Sequence, residues 1–143
     1  MTLPADKHEQ DSAAVEFRAV TFRLENGREL LHQLDMVVHR GETLVLLGRS
    51  GCGKTTTLKL INRLLEASSG DIRVEGKSVR EWDAIKLRRG IGYAIQDVGL
   101  FPHFTIERNI GLIPRIEGWT ADRTHQRVEE LMRLVGLDPQ IAH

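Results

Sequence analysis

Apolar and polar positions largely alternate from Val15 to Leu24 (VEFRAVTFRL), and Glu25-Asn26-Gly27-Arg28 follows with Asn-Gly at its centre. Alternation at period two, ended by that dipeptide, predicts the first strand of a β-hairpin. The apolar stretch Leu34 to Val38 leads to a second turn, His39-Arg40-Gly41-Glu42, and then to Thr43-Leu44-Val45-Leu46-Leu47. Five residues, nearly all apolar and bounded by turns, suit a strand buried on both faces, as in a parallel sheet covered by helices. Gly48 to Gly53 is a glycine-punctuated loop, after which Leu58, Ile61, Leu64 and Leu65 recur at spacings of three and four. That spacing predicts a helix over 54–65 with those residues on its buried face. Further along, Asp71 to Val74 reads as a short strand, Ala84 to Arg89 as a short helix and Gly92 to Ile95 as a strand. Thr105 is placed to cap a helix running toward Leu112. A last helix begins near Ala121, buries Val128, Leu131, Met132 and Val135, and ends at Gly136.

Composition adds limits to this βα pattern. The chain has 143 residues, 41% hydrophobic and 28% charged, which is the make-up of one soluble globular domain. Twenty Lys+Arg offset twenty Asp+Glu, so no broad field draws in nucleic acid or anionic lipid. No nucleic-acid partner is expected, and any anion must be held locally. The single cysteine, Cys52, cannot form an internal disulfide, and no apolar run approaches the roughly 20 residues of a membrane span. Residues 1–14 lack the apolar block of a signal peptide and read as a flexible tail, leaving 15–143 as the folded part. The six histidines never fall at metal-ligand spacing such as His-x3-His.

One motif carries chemistry. Gly48-Arg49-Ser50-Gly51-Cys52-Gly53-Lys54-Thr55 satisfies G-x-x-x-x-G-K-[ST], between the apolar run and the start of the helix. Glycines let successive backbone N–H groups turn inward around an anion, and the positive end of the following helix adds to the field. Lys54 would place its charge on the β- and γ-phosphates of a nucleotide, the Thr55 hydroxyl would hold Mg²⁺, and Thr56 would add a hydroxyl to the α-phosphate. The plain alternative is a glycine-rich turn without a ligand. Cys52 reads either as a small residue filling a variable position or as a thiol acidified by the helix terminus.

Beyond this loop the chain resembles the ATP-binding subunits of ABC transporters, almost continuously from Val15 through Leu137. Gly48 to Thr56 matches Walker A, and Gln96 in Tyr93-Ala94-Ile95-Gln96 matches the Q-loop glutamine. Three segments, 55–64 (TTTLKLINRL), 87–93 (LRRGIGY) and 99–106 (GLFPHFTI), are similar to the importers of glycine betaine, choline, carnitine and proline. The resemblance implies an α/β P-loop NTPase fold with an N-terminal antiparallel β region. It also implies ATP and Mg²⁺ as cofactors, with Gln96 touching Mg²⁺ and the attacking water. Transmembrane permease subunits would be partners, docking near Asp97 to Phe104, and a second ATP-binding subunit would complete a dimer in the full-length protein. The place would be peripheral, on the cytoplasmic face of the cell membrane.

Two departures from the family pattern stand out. The aromatic residue that usually stacks on adenine is replaced by Leu24 at the expected position, with Phe22 two residues earlier on the same strand face. Phe22 either substitutes for it or packs the core. The chain also reaches His143 before the LSGGQ-type signature, and after Gln96 it has no run of four apolar residues ending in Asp-Glu and no Ser-Gly-Gly. The expectation is a domain incomplete before the signature, able to hold nucleotide and inactive in hydrolysis by itself. With the remaining sheet strands missing, residues 43–47 would expose an apolar face and make the polypeptide marginally soluble. A non-hydrolysing regulatory module is the alternative function. A P-loop kinase or GTPase fits less well, because a hairpin precedes the loop and Gln96 follows it.

Overall fold

A computed structural model describes residues 13–96 and 99–142. They form two compact units, one ending at Gly92 and one beginning at Tyr93. The expected tail lies over residues that, up to 12, are outside the described part.

In the first unit β1 (Ala13–Arg23) pairs antiparallel with β2 (Glu29–His39), closing the hairpin at the anticipated turn, where the Leu24 N–H donates to the Arg28 carbonyl at 2.9 Å. β3 (Ser69–Val74) pairs with the other edge of β1, and β4 (Lys77–Ser78) with β3, giving the order β2-β1-β3-β4. β1 does not alternate strictly, because Phe17 and Val20 are both buried. Ala19, at φ 47°, is an extra residue in β1 between the pairs Phe17–Met36 and Val20–Leu34, and Gln33, at φ 43°, is one in β2 before Phe22–Leu31. The two bulges offset each other and restore the register, so apolar residues on both sides of them face one core. Each amide displaced by a bulge finds a side-chain acceptor: Ala19 N–H donates to Asp35 Oδ1 at 2.7 Å, and Gln33 N–H to Thr21 Oγ1 at 3.1 Å. Gly70 is required beside the first bulge, since a Cβ there would lie 2.4 Å from the Ala19 carbonyl oxygen.

Helix α1 (Lys54–Ile61) and helix α2 (Ala84–Arg89) add Leu60 and Leu87 to a core built from Phe17, Val20, Ile72, Val74 and Val79. Three expectations are corrected here. α1 stops at Ile61 because Asn62 caps it and Arg63 turns into the left-handed region at φ 55°. Its buried positions are Thr57 and Leu60; of the expected face Ile61 and Leu65 do pack on the core, while Leu58 and Leu64 are exposed, so the sheet takes only part of the most apolar face. Residues 43–47 form no strand, and Val45 and Leu47 are 68% and 88% exposed. A strand exists only through its neighbour's N–H and C=O groups, and no described segment pairs with this one.

The second unit is helical. Thr105 caps α3 (Ile106–Ile110), its hydroxyl accepting from the Arg108 N–H, as anticipated. The helix expected to reach Leu112 instead breaks at Gly111, and α4 (Leu112–Ile116) follows. Gly111 is buried, and a Cβ on it would lie 3.1 Å from Thr124 Cγ2. α5 (Ala121–Leu134) buries Val128 and Met132 against Ala142, Ile106 and Ile110, whereas Val135 is exposed. It ends as expected at Gly136, whose φ is 76°, with the Leu137 N–H donating to the Met132 carbonyl and the Gly136 N–H to that of Arg133. Residues 92–95, expected as a strand, are exposed and unpaired in a ladder, for the same reason as 43–47.

Leu60→Ala is expected to cost about 2–5 kcal/mol in urea unfolding and Leu58→Ala within about 0.5 kcal/mol; equal effects would contradict the assignment of the buried face. The pH dependence follows from three carboxyls. Ser78 and then Arg73 hold Asp71 below its ordinary 3.8, Arg23 and His32 hold Glu29 below 4.5, and the Lys86 N–H holds Asp83 below 3.8. Folding favours the charged form of each, so their stabilisation is complete above those values and lost as pH falls through the lower folded ones. The thermal midpoint should therefore drop on acidification below 4.5 and on through 3.8; a rising midpoint would contradict this.

Candidate functional site

The glycine-rich loop lies between the exposed segment 43–47 and α1. Its backbone is tight: the Cys52 N–H donates to the Arg49 carbonyl at 3.3 Å, and a Cβ on Gly48 would meet Cys52 Sγ at 2.6 Å. Gly51 (φ 81°) and Gly53 (φ 102°) take left-handed conformations that a side chain would strain. Gly53 is also pinned from β2, because a Cβ there would lie 2.8 Å from Leu31 Cδ2 and 3.6 Å from Leu30 Cγ. The Gly53 carbonyl accepts from both the Thr57 N–H (2.8 Å) and the Thr57 hydroxyl (3.0 Å), which anchors the helix start. Leu30, Leu31 and Thr57 were not singled out from sequence. The only signal for Thr57 was a hydroxyl four residues after Gly53.

The start of α1 is uncapped. Gly53 offers no side-chain acceptor and the first turn has no acidic residue, so the N–H groups of Lys54, Thr55 and Thr56 lack partners within the helix. The partial positive charge of that terminus adds to Arg49 and Lys54, and no acid occurs between Glu42 and Glu66. Lys54 folds back over the loop, its ammonium donating to the carbonyls of Gly48 (2.8 Å) and Arg49 (2.9 Å), with Cys52 Sγ at 3.7 Å. An ammonium has three donors, and here two go to these carbonyls and the third to the Cys52 sulfur. Arg49, Ser50, Gly51, Cys52 and Thr55 are exposed, Thr56 is half-buried, and Gly53 is buried.

Phe22 is half-buried and packs on the core, and its cross-strand partner is Leu31, the residue that abuts Gly53. The hairpin thus puts an aromatic residue one neighbour from the loop. Leu24 sits in the turn, 37% exposed. Gln96 belongs to the second unit and is exposed, and Asp97 and Val98 are outside the described residues. The donor set suits a polyphosphate with Mg²⁺: N–H groups without partners in the helix, one ammonium and the Thr55 hydroxyl. Mg²⁺ typically takes few protein ligands and fills its shell with phosphate oxygens and water. No group of His, Cys, Asp and Glu among the described residues could hold a metal by itself.

The family model described as "ABC transporter" matches residues 31–143, and the chain belongs to that family. It is 46% identical over 114 residues to the glycine betaine/carnitine/choline transport ATP-binding protein OpuCA of Bacillus subtilis, covering 80% of this chain and 30% of that protein. It is 56% identical over 105 residues to the osmoprotectant import ATP-binding protein OsmV of Salmonella typhimurium, covering 73% and 28%. The chain therefore spans about three tenths of the length of these curated relatives, in their N-terminal portion. The fold is also that of cbiO1 from Clostridium perfringens, part of the ABC transporter complex cbiONQ, with a TM-score of 0.82 at 24% identity over 92% of this chain and 53% of that one. The P-loop NTPase fold and the antiparallel N-terminal sheet expected from sequence are both borne out.

Gly53→Ala must displace Leu31 and adopt φ 102°, so it is expected to destabilise the first unit by about 1–3 kcal/mol in denaturant unfolding. An unchanged midpoint would contradict the close packing of loop and hairpin.

Proposed function

We propose that this chain is the nucleotide-cradling part of an ATP-binding subunit that powers import of quaternary amines, the osmoprotectant class named for its relatives. The observation that carries the reading is the uncapped start of α1 behind a tight glycine loop, with the Lys54 ammonium lying across it. The N–H groups of Gly51, Gly53, Lys54, Thr55 and Thr56 would hold phosphate oxygens, as helix N-termini and backbone nests do. Lys54 would exchange its two carbonyl acceptors for the β- and γ-phosphates. Arg49, Ser50, Gly48 and Cys52 shape the loop around them. The Thr55 hydroxyl would face Mg²⁺, which neutralises phosphate charge when bound with the nucleotide; for Gln96 the family likeness implies contact with Mg²⁺ and the attacking water in the full-length protein. The exposed part of the Phe22 ring would face adenine, the remainder serving the core.

Family membership supports ATP use. As 143 residues the polypeptide supplies no Asp-Glu-terminated apolar run and no Ser-Gly-Gly after Gln96. It is accordingly proposed to bind nucleotide without turning it over, hydrolysis belonging to a full-length pair of such subunits. Docking on transmembrane permease subunits is assigned to the segment 97–104. There Leu100 and Phe101 are exposed and line, with Pro102, Phe104, Ile110 and Leu137, an apolar groove of about 490 Å³. No helix among the described residues is long and apolar enough to cross a membrane. The proposed place, by likeness to the relatives, is peripheral on the cytoplasmic face.

Calorimetric titration with ATP and Mg²⁺ tests this. Lys54→Ala is expected to weaken binding about 10- to 100-fold, as loss of hydrogen bonds to a charged group does, and Phe22→Leu to weaken it several-fold with little change in melting temperature. Equal affinity in wild type and Lys54→Ala would overturn the site. Steady-state phosphate release that Lys54→Ala abolishes would overturn the non-hydrolysing part.

A further inference from the structure

The far end of α1 is locked by a reciprocal arrangement outside the phosphate loop. Arg63, which follows the C-cap Asn62, is held at φ 55°, a conformation that costs a residue with a side chain about 1 kcal/mol or more and persists only when its surroundings dictate it. Its N–H donates to the Leu60 carbonyl at 3.2 Å, and its guanidinium donates to the Trp82 carbonyl at 3.2 Å. Arg88, on α2, donates in return from Nε to the Asn62 carbonyl (3.2 Å) and from Nη2 to the Arg63 carbonyl (2.7 Å). Those carbonyls lie at the negative end of α1, where a cation is favoured by the helix dipole. Asn62 is itself buried, its side chain accepting from the Leu64 N–H at 3.1 Å.

Opposite ends of one short rod are therefore held by different parts of the fold. At the start, Leu30 and Leu31 press on Gly53; at the finish, Arg88 and Arg63 tie the exit to the segment 82–88. Eight residues make a rod of about 12 Å, so a small tilt at the exit re-aims the N–H groups at the start. We propose that Arg88 is a positioning residue for nucleotide binding, fixing through its two carbonyl contacts the direction of α1 and hence the aim of its N-terminal N–H groups. The inference rests on the nucleotide reading of that terminus. A fork matters here more than a charge, because one planar guanidinium reaches two carbonyls that an ammonium cannot engage in the same geometry.

ATP affinity of the 143-residue chain, measured well below each variant's melting temperature, tests the role. Arg88→Ala is expected to weaken ATP binding about tenfold and Arg88→Lys to recover only part of that. Guanidinium ion at low concentration, against sodium chloride of equal ionic strength, should restore affinity to Arg88→Ala, although guanidinium destabilises folded proteins generally. Val15→Ala, which trims the core on β1 away from α1, should lower the melting temperature and leave affinity near wild type. Should Arg88→Ala fail to fold, Arg88→Lys and Arg88→Gln carry the comparison. Wild-type affinity in the folded Arg88 variants, or weakening that guanidinium deepens, would overturn the proposal. Absence of Lys54-dependent binding in the wild type would instead overturn the nucleotide reading.

Discussion

An α-helix that begins on glycine, with no acid in its first turn, leaves three N–H groups and a partial positive charge facing outward. Most of the first unit serves to hold that terminus still. Leu60 is completely buried and seats α1 on the sheet, while Thr57 ties its start to the Gly53 carbonyl through both backbone and hydroxyl. β2 presses Leu30 and Leu31 against the last glycine, and the paired bulges at Ala19 and Gln33 let a long hairpin keep its apolar side on the core while reaching that point. The loop's conformation and the hairpin's register are thus one constraint, and an anion at the terminus is its electrostatic complement.

The segment 43–47 shows the same chemistry from the other side. It is the most apolar stretch before the loop, and its side chains are among the most exposed apolar groups of the unit. Its composition suits burial on both faces, which only flanking strands and helices can provide. The antiparallel sheet does not take it in: among the described residues its outer strands, β2 and β4, pair only with β1 and β3. The first unit is accordingly a glycine loop and helix start with a well-packed back and an open apolar flank, in a chain that spans about three tenths of the length of its relatives.

Much of this was legible in the residues. The G-x-x-x-x-G-K-[ST] run, the Asn-Gly hairpin, the Thr105 cap and the Gly136 terminator are local signals whose chemistry acts within a few residues, and each appears where expected. What was not legible depends on distant partners. Period-two alternation could not reveal the bulges, because Asp35 and Thr21 stabilise them from across the ladder. The spacing of Leu58, Ile61, Leu64 and Leu65 named an apolar face, but the sheet buried Leu60, and Arg63 ended the helix through contacts with Trp82 and Arg88. Residues 43–47 and 92–95 carried strand composition without the neighbours that make a strand. Gln96 was recognisable only through family likeness, since nothing in its local spacing marks it.

The central claim is that the uncapped terminus of α1 and its glycine loop form the anion site. Its most direct test is an amide-resolved nuclear magnetic resonance titration of the 143-residue chain with ATP and Mg²⁺. The account predicts that the largest shifts fall on the amides of Gly51, Gly53, Lys54, Thr55 and Thr56 and saturate together. Shifts confined to other parts of the chain, with those five amides unmoved, would contradict it.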